Sequence, residues 1–544
     1  MPTHGVFDNA RFRSQSPSSP RGGKSRRSRS RFHRLLPHVS STRHGIALAF
    51  LLLSGILDSY AAIIPSQIVT LDAEESAIRQ GQELLKANDS AAALKLFKTA
   101  IESPVFTSLD PVRQHAIYQV SGAIAYGLTE YANAQTYFTR ACESPHAVAE
   151  DWKQRFFAAY QLDDKFDKTA SLTLIAQRWP ATLSDINDDA ILRTANESLK
   201  DPTSAGKTLD LLAALFASGW KIEGGIEPSS LWREYALILI AREQLVDVKA
   251  VAARITRPGE LISMRADSRF FILVNSMPAR FDIDKAAAAD LALMREISAK
   301  QLQHLRNVVE LTYSLLTVRE YAQTLKITDG VITTVHGSNK EKPPYDDLDE
   351  SYIWILNNRA LALQGLGRWE EALEQLIRAA RRPERAGTNV SQAINLAGYY
   401  NDLERPKDAL FMLLDVENTS PYGRMQVEKE KYRAALQLQE AAAAKASLSY
   451  LREHQSDSIS TYQDALLEGG DMEAAAGVLI GRLQDPAQRT PALLWMQDYE
   501  ESPAPPHVLQ FRGRMRVLKG RADVRNAVAS VGRIEHYNLS SDFL

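Results

Sequence analysis

Between residues 352 and 421, apolar residues recur every three or four positions, break at a polar turn, and recur again. Leu356, Ala360 and Leu363 mark one helix; past Gly367-Arg368-Trp369, Ala372, Leu376 and Ala379 mark a second. Ala393, Ala397 and Tyr400 open the next pair, which turns at Glu404-Arg405-Pro406, continues through Ala409, Leu413 and Val416, and closes at Pro421. That spacing lines up one apolar face of an α-helix, so the stretch predicts two helical hairpins laid end to end. Ala372 and Ala409 are 37 residues apart, a period typical of solenoids. The small residues Ala360, Ala372, Ala397 and Ala409 allow paired helices to approach closely, with Leu, Trp and Tyr filling the space between pairs.

Two earlier hairpins follow the same plan. One has Ala77, Gly81 and Leu84 before the Asn88-Asp89-Ser90 turn, then Ala93, Phe97 and Ala100. The other has Tyr118, Gly122 and Ala125 before Thr129-Glu130-Tyr131, then Ala134, Phe138 and Ala141. A glycine inside a helix costs about 1 kcal/mol relative to alanine, so its recurrence at Gly81 and Gly122 predicts a close helix crossing. Between residues 150 and 340 the pattern weakens. Residues 151–179 read as a hairpin packed through Trp152, Phe156, Tyr160, Phe166 and Leu174, and residues 230–255 and 306–331 repeat the theme. The polar, proline-containing loop 337–344 is the expected hinge or domain boundary, because a helix interior does not accept proline. Two more helix pairs follow at 425–454 and 458–483, then a proline-rich linker at 501–507.

The spacing of small and large residues in 352–421 resembles that of the tetratricopeptide repeat. That resemblance implies an all-α superhelical solenoid with degenerate middle repeats. The domains expected are a basic leader at 1–61, hairpins at 62–149, degenerate hairpins at 150–340, clear repeats at 345–500, and a linker with capping helices at 501–544. It also implies a concave groove lined by the first helix of each hairpin. Trp354, Asn358 and Gln364 from one hairpin, and Asn395 and Asn401 from the next, would face that groove. A side-chain amide both donates and accepts, so a row of them suits the backbone of a bound peptide; the plainer reading is solvated or turn-capping asparagines.

Charge and composition narrow the function. The formal charge of −2 conceals ten Lys/Arg against two Asp in residues 1–61, a balance of +8 that leaves −10 for the rest. A mature chain this acidic is not expected to bind nucleic acid, whose recognition draws on clustered Lys and Arg. Residues 9–45 are rich in Arg, Ser and Pro and lack acids, and 46–57 form a short apolar run before Ser59-Tyr60-Ala61. About 20 residues are needed to span a bilayer core, so this run reads as a secretory signal with a small-x-small cleavage site. An uncleaved membrane anchor and an organelle transit peptide are the rival readings. If the source is bacterial, a start nearer Val39 is expected, since no Met lies between Met1 and Met264.

The single cysteine, Cys142, rules out an intrachain disulfide and any Cys-based metal cluster. No phosphate loop, zinc-protease helix or nucleophile elbow is present, the histidines are scattered, and neither metal nor cofactor is expected. The acidic run 346–350 reads as the start of a helix, where carboxylates meet the positive end of the dipole. The leading expectation is a non-enzymatic scaffold of the bacterial cell envelope that binds a protein or peptide, in secretion or polysaccharide export. One alternative is a glycan-acting enzyme using carboxylates of the middle segment, such as Asp163 and Asp164 or Asp188 and Asp189. Another is a membrane-anchored assembly factor.

Overall fold

The computed structural model describes residues 68–338, 343–382, 389–416 and 419–540. The leader and the apolar run 46–57 lie outside the described residues. Among the described residues the chain forms two units, 68–226 and 227–540. Both are built from α-helical hairpins, and the fold class is all-α.

One backbone device makes the hairpins. In nine turns among the described residues a single residue takes the left-handed conformation: Asn88, Thr129, Asp163, Glu243, Arg319, Gly367, Glu404, Gln439 and Gly470. The next residue then donates its N–H to the carbonyl five positions back, as Glu130 does to Ala125, Arg368 to Leu363 and Arg405 to Tyr400. This closure satisfies carbonyls that the helix end would leave open, and the second helix starts at once.

Counting from the left-handed residue gives the packing rule. Seven positions before it stand Gly81, Gly122, Ala236, Ala360 or Ala397; five after it stand Ala93, Ala134, Ala372, Ala409, Ala444 or Ala475, all buried. Nine after it come Phe97, Phe138, Leu172, Leu376, Leu413 and Leu479, also buried. The glycines are where the two helices cross closest. A Cβ on Gly122 would lie 2.6 Å from the Phe138 ring, and one on Gly81 would lie 3.0 Å from Phe97.

In residues 68–226 the helices are α1 (Ile68–Lys86), α2 (Ser90–Glu102), α3 (Pro111–Gly127), α4 (Tyr131–Glu143), α5 (Ala149–Gln161), α6 (Lys165–Arg178), α7 (Asp188–Lys200) and α8 (Ala205–Ala217). Of the packing residues expected in the α5–α6 hairpin, Phe156 is fully buried, but Phe166 is exposed and lies under the Lys207 ammonium. Nine residues separate it from the buried Ile175, half a turn around the helix, so Leu172 and Ile175 fill the core instead.

In residues 227–540 the chain continues with α9 (Ser229–Ala241), α10 (Leu245–Ala253), α11 (Pro258–Ala266), α12 (Phe271–Ser276) and α13 (Ile283–Lys300). Regular hairpins follow: α14 (Leu305–Thr317) with α15 (Tyr321–Gly337), α16 (Leu348–Gly365) with α17 (Trp369–Ala380), and α18 (Val390–Asp402) with α19 (Pro406–Met412). Two more are α20 (Pro421–Gln437) with α21 (Ala441–Glu453) and α22 (Ile459–Glu468) with α23 (Met472–Gln484), before α24 (Pro486–Met496). The two units divide at 226/227, while α15 and α16, which precede and follow residues 338–347, pack on each other. Within the acidic run, Asp349 and Glu350 do sit in the first turn of α16, but Asp347 does more: its carboxylate accepts from the backbone N–H of Leu305 at 2.7 Å and of Arg306 at 2.8 Å, capping α14.

The segment expected to cap the stack turns back instead. After β1 (Asp498–Tyr499), α25 (Pro506–Gly520) packs on α18, α22 and α23; α26 (Ala522–Val531) packs on α23, and β2 (His536–Tyr537) pairs in parallel with β1. Gly532 bridges to Asp267, and the Arg265 guanidinium holds the Glu535 carboxylate through two hydrogen bonds of 2.7 and 2.8 Å. Helices α11 and α24 pack together, so this unit closes on itself.

Overfilling a packed core typically costs about 1–3 kcal/mol. Gly122→Ala is therefore expected to lower the unfolding free energy by about that amount in urea denaturation. Gly127→Ala, where an added Cβ meets nothing within 4 Å, should leave it unchanged or raise it.

Candidate functional site

The first helices α16, α18, α20 and α22 stack side by side and carry one equivalent position in each layer, nine residues before the left-handed turn: Asn358, Asn395, Glu430 and Thr461. The asparagine row is therefore real as a register, but the structure sets most of it between layers. Asn358 is fully buried and donates to Thr312 Oγ1 at 2.8 Å. Asn395 donates to Asn357 Oδ1 at 3.4 Å, and Asn401, also fully buried, donates to the Glu430 carbonyl at 2.9 Å and to its Oε2 at 3.0 Å. Trp354 and Gln364 remain half-exposed. Small residues in the register bring the layers so close that the amides fall into the seam: Gly398 leaves room for Glu430, whose carboxyl would lie 3.4 Å from a Cβ added there.

The seam also holds charges that the sequence pattern does not reveal. Arg433, 2% exposed, is surrounded by three carboxylates from three successive layers: Asp402 of α18 at 2.5 Å, Glu430 of α20 at 2.9 Å and Glu468 of α22 at 2.9 Å. Its Nε faces Glu468 off the N–H line, so that contact is a charge pair without a hydrogen bond. Lys429 pairs with Glu430 at 3.1 Å, and Arg514 and His507 of α25 approach Glu468 at 3.6 and 3.4 Å. One signal was available: the run 426–433 (QVEKEKYR) offers too few apolar residues for one face, although both faces of a first helix must be covered in a stack.

Burial and pairing compete at these carboxyls. For Asp402 the loss of water outweighs Arg433 and raises its pKa; for Glu430 and Glu468 burial is overcome by Arg433, and both are held below the usual carboxylate range. Asp464, one turn before Glu468, is half-buried, and loss of water around its carboxyl pushes its pKa up to about 6.

In residues 68–226 the polar clusters build local structure. His115 Nε2 lies 2.8 Å from Asp151 Oδ2, and the same carboxylate accepts from Gln119 Nε2 and the Val148 N–H. Burial pushes the Cys142 thiol up to about 12 and keeps it protonated. Asp163 pairs with Lys168, Asp164 caps α6, Asp188 accepts from the Glu223 N–H, and Asp189 sits in the first turn of α7. Each pair of adjacent carboxylates is thus taken up by caps and turns. Among the described residues no three of His, Cys, Asp and Glu are grouped to hold a metal ion, and no helix is long and apolar enough to cross a membrane.

No protein-family model matches the chain, and no curated protein matches it. Solved structures align with it at low similarity. The human IFIT1 dimer with m7Gppp-AAAA is 11% identical with a TM-score of 0.28, over 87% of this chain and 94% of that one. The Cut9 chain of the APC/C hetero-tetramer Cut9-Hcn1 is 10% identical with a TM-score of 0.28, over 88% of each chain. Yeast Tom70 is 12% identical with a TM-score of 0.23, over 77% of this chain and 99% of that one. Such likeness carries nothing about partners or activity. The shared turn and the small-residue register stand on the structure itself. The fold is tetratricopeptide-like.

A carboxyl whose pKa is raised in the folded state contributes stability at low pH that is lost as pH rises from its unfolded value toward 6. Asp464→Asn removes that loss. Relative to the wild type, the variant should gain stability between pH 4 and pH 7, read as a rising difference in urea midpoints.

Proposed function

We propose that the chain is a non-enzymatic scaffold that holds a protein or peptide partner along the first-helix face of residues 348–468. The observation that carries this reading is the half-exposed pair Trp354 and Gln364 on α16, backed by a row of buried amide and charged side chains repeated from layer to layer along α16, α18, α20 and α22. Well-packed apolar residues usually stabilise a seam as well as buried ions do, or better. A polar row instead fixes how the layers lie, because its donors and acceptors must match those of the neighbouring helix, and so it holds the face in one shape. Trp354 and Gln364 form its reachable edge. Stacked hairpins present long surfaces of this kind to extended chains.

The basic leader and the apolar run 46–57 support placing this scaffold in the bacterial cell envelope, in secretion or polysaccharide export, and the −10 balance of the remaining residues speaks against a nucleic-acid partner. The rival within this reading is an uncleaved membrane anchor.

A photo-reactive residue placed at Gln364 in the full chain, in its native source, should cross-link to a partner polypeptide. The same residue at the exposed Glu374 of α17 should not. Equal yields at both places contradict the assigned face. Sequencing the mature N-terminus checks the address: a chain starting just after residue 61 supports export, and an intact apolar run supports the anchor.

A further inference from the structure

A second surface is already occupied, and its occupant is part of the chain. Residues 500–505, between β1 and α25, form neither helix nor strand, and Pro505 is in the polyproline conformation (φ −61°, ψ 158°). This strap crosses the α14–α15 and α16–α17 turns. Arg319, the left-handed residue of the first turn, donates to the Glu501 carbonyl at 3.3 Å and faces the Glu500 carboxylate at 3.6 Å. Arg512 donates to the Ser502 carbonyl at 2.6 Å, and the Tyr321 and Ser502 hydroxyls lie 2.5 Å apart. Arg516 takes the Glu501 carboxylate at 3.1 Å, and Pro503 lies 3.9 Å from the position of a Cβ on Gly367.

These contacts have the form of peptide recognition. Backbone carbonyls are read by guanidinium groups, a serine by a hydroxyl, acidic side chains by arginines, and a pre-extended proline segment enters at low entropic cost. The Tyr321 ring is held in place, because it lies flush on Gly365, where a Cβ would come within 2.6 Å. Arg319 also keeps its Nε buried and without a hydrogen bond, so the cleft has a donor that the strap does not use. The strap is held lightly: Glu501 and Pro503 are exposed, and exposed ion pairs contribute about 0–1 kcal/mol.

We propose that residues 500–505 are a displaceable internal ligand, and that the cleft beneath them accepts from another protein an extended segment of the same kind, with acidic residues and a serine followed by proline. This does not depend on the partner face assigned above, since it uses neither Trp354 nor the asparagine row. A tethered segment competes at an effective concentration on the order of millimolar, so an outside peptide gains access when the strap is loosened or when it binds better than the strap.

The test is fluorescence anisotropy of a labelled peptide carrying the sequence of residues 498–506, titrated with the full chain. A variant with Glu501→Gly, Ser502→Gly and Pro503→Gly should bind it at least tenfold more tightly than the wild type does. Adding Arg319→Ala should abolish that gain. Where the triple variant melts early, Glu501→Ala with Ser502→Ala, which keeps the prolines, is read in the same way. A folded strap variant that binds no better than the wild type, or whose binding ignores Arg319→Ala, overturns the proposal.

Discussion

The unit formed by residues 227–540 turns on one guanidinium. Arg433 meets Asp402, Glu430 and Glu468, one carboxylate from each of three successive first helices. Apolar contacts let layers slide or substitute for one another; a buried cation among three anions does not. Removing one partner from such a cluster typically costs about 3–5 kcal/mol, because the remaining charge is left without water. The charges therefore specify how the layers stack, while the apolar register specifies only that they stack.

That division of labour explains the shape of the hairpins. The small residues seven before and five after the turn bring the two helices of a pair together. They also bring first helices of adjacent pairs close enough for Asn401 to reach the Glu430 carbonyl and for Arg433 to reach the Gly398 carbonyl. Helix α25 then covers the open ends of these helices, with His507 and Arg514 facing Glu468. The chain end returns to α11 through Arg265 and Glu535, so the polar seam is enclosed on a side where a simple open stack would leave it wet.

Most of the hairpins could be read from the sequence because a helix in a stack repeats its apolar face every three or four residues, and Ala360, Ala372, Ala397 and Ala409 mark the crossings. The turns were only partly visible. Gly367 and Gly470 announce a left-handed residue, whereas Arg319, Glu404 and Gln439 adopt the same conformation without any chemical sign of it. The charge cluster was hidden for a different reason: a run such as EKEKYR looks like a solvated face until its neighbours on both sides are known. The asparagine row had its register in the sequence but not its environment, since only packing shows that Asn358 and Asn401 lie in a seam. The return of the C-terminal segment rests on contacts more than 200 residues apart, such as Arg265 with Glu535, and no local pattern encodes them.

The most direct measurement is a double-mutant cycle between Arg433 and Asp402, using Arg433→Met and Asp402→Leu and following urea unfolding of the full chain. Contacting charges in one network couple by about 0.5–3 kcal/mol, while independent sites add to within about 0.5 kcal/mol. A coupling above about 1 kcal/mol, with the double variant more stable than the two single losses add up to, is the result expected if the seam ties the layers together. Simple additivity would contradict it.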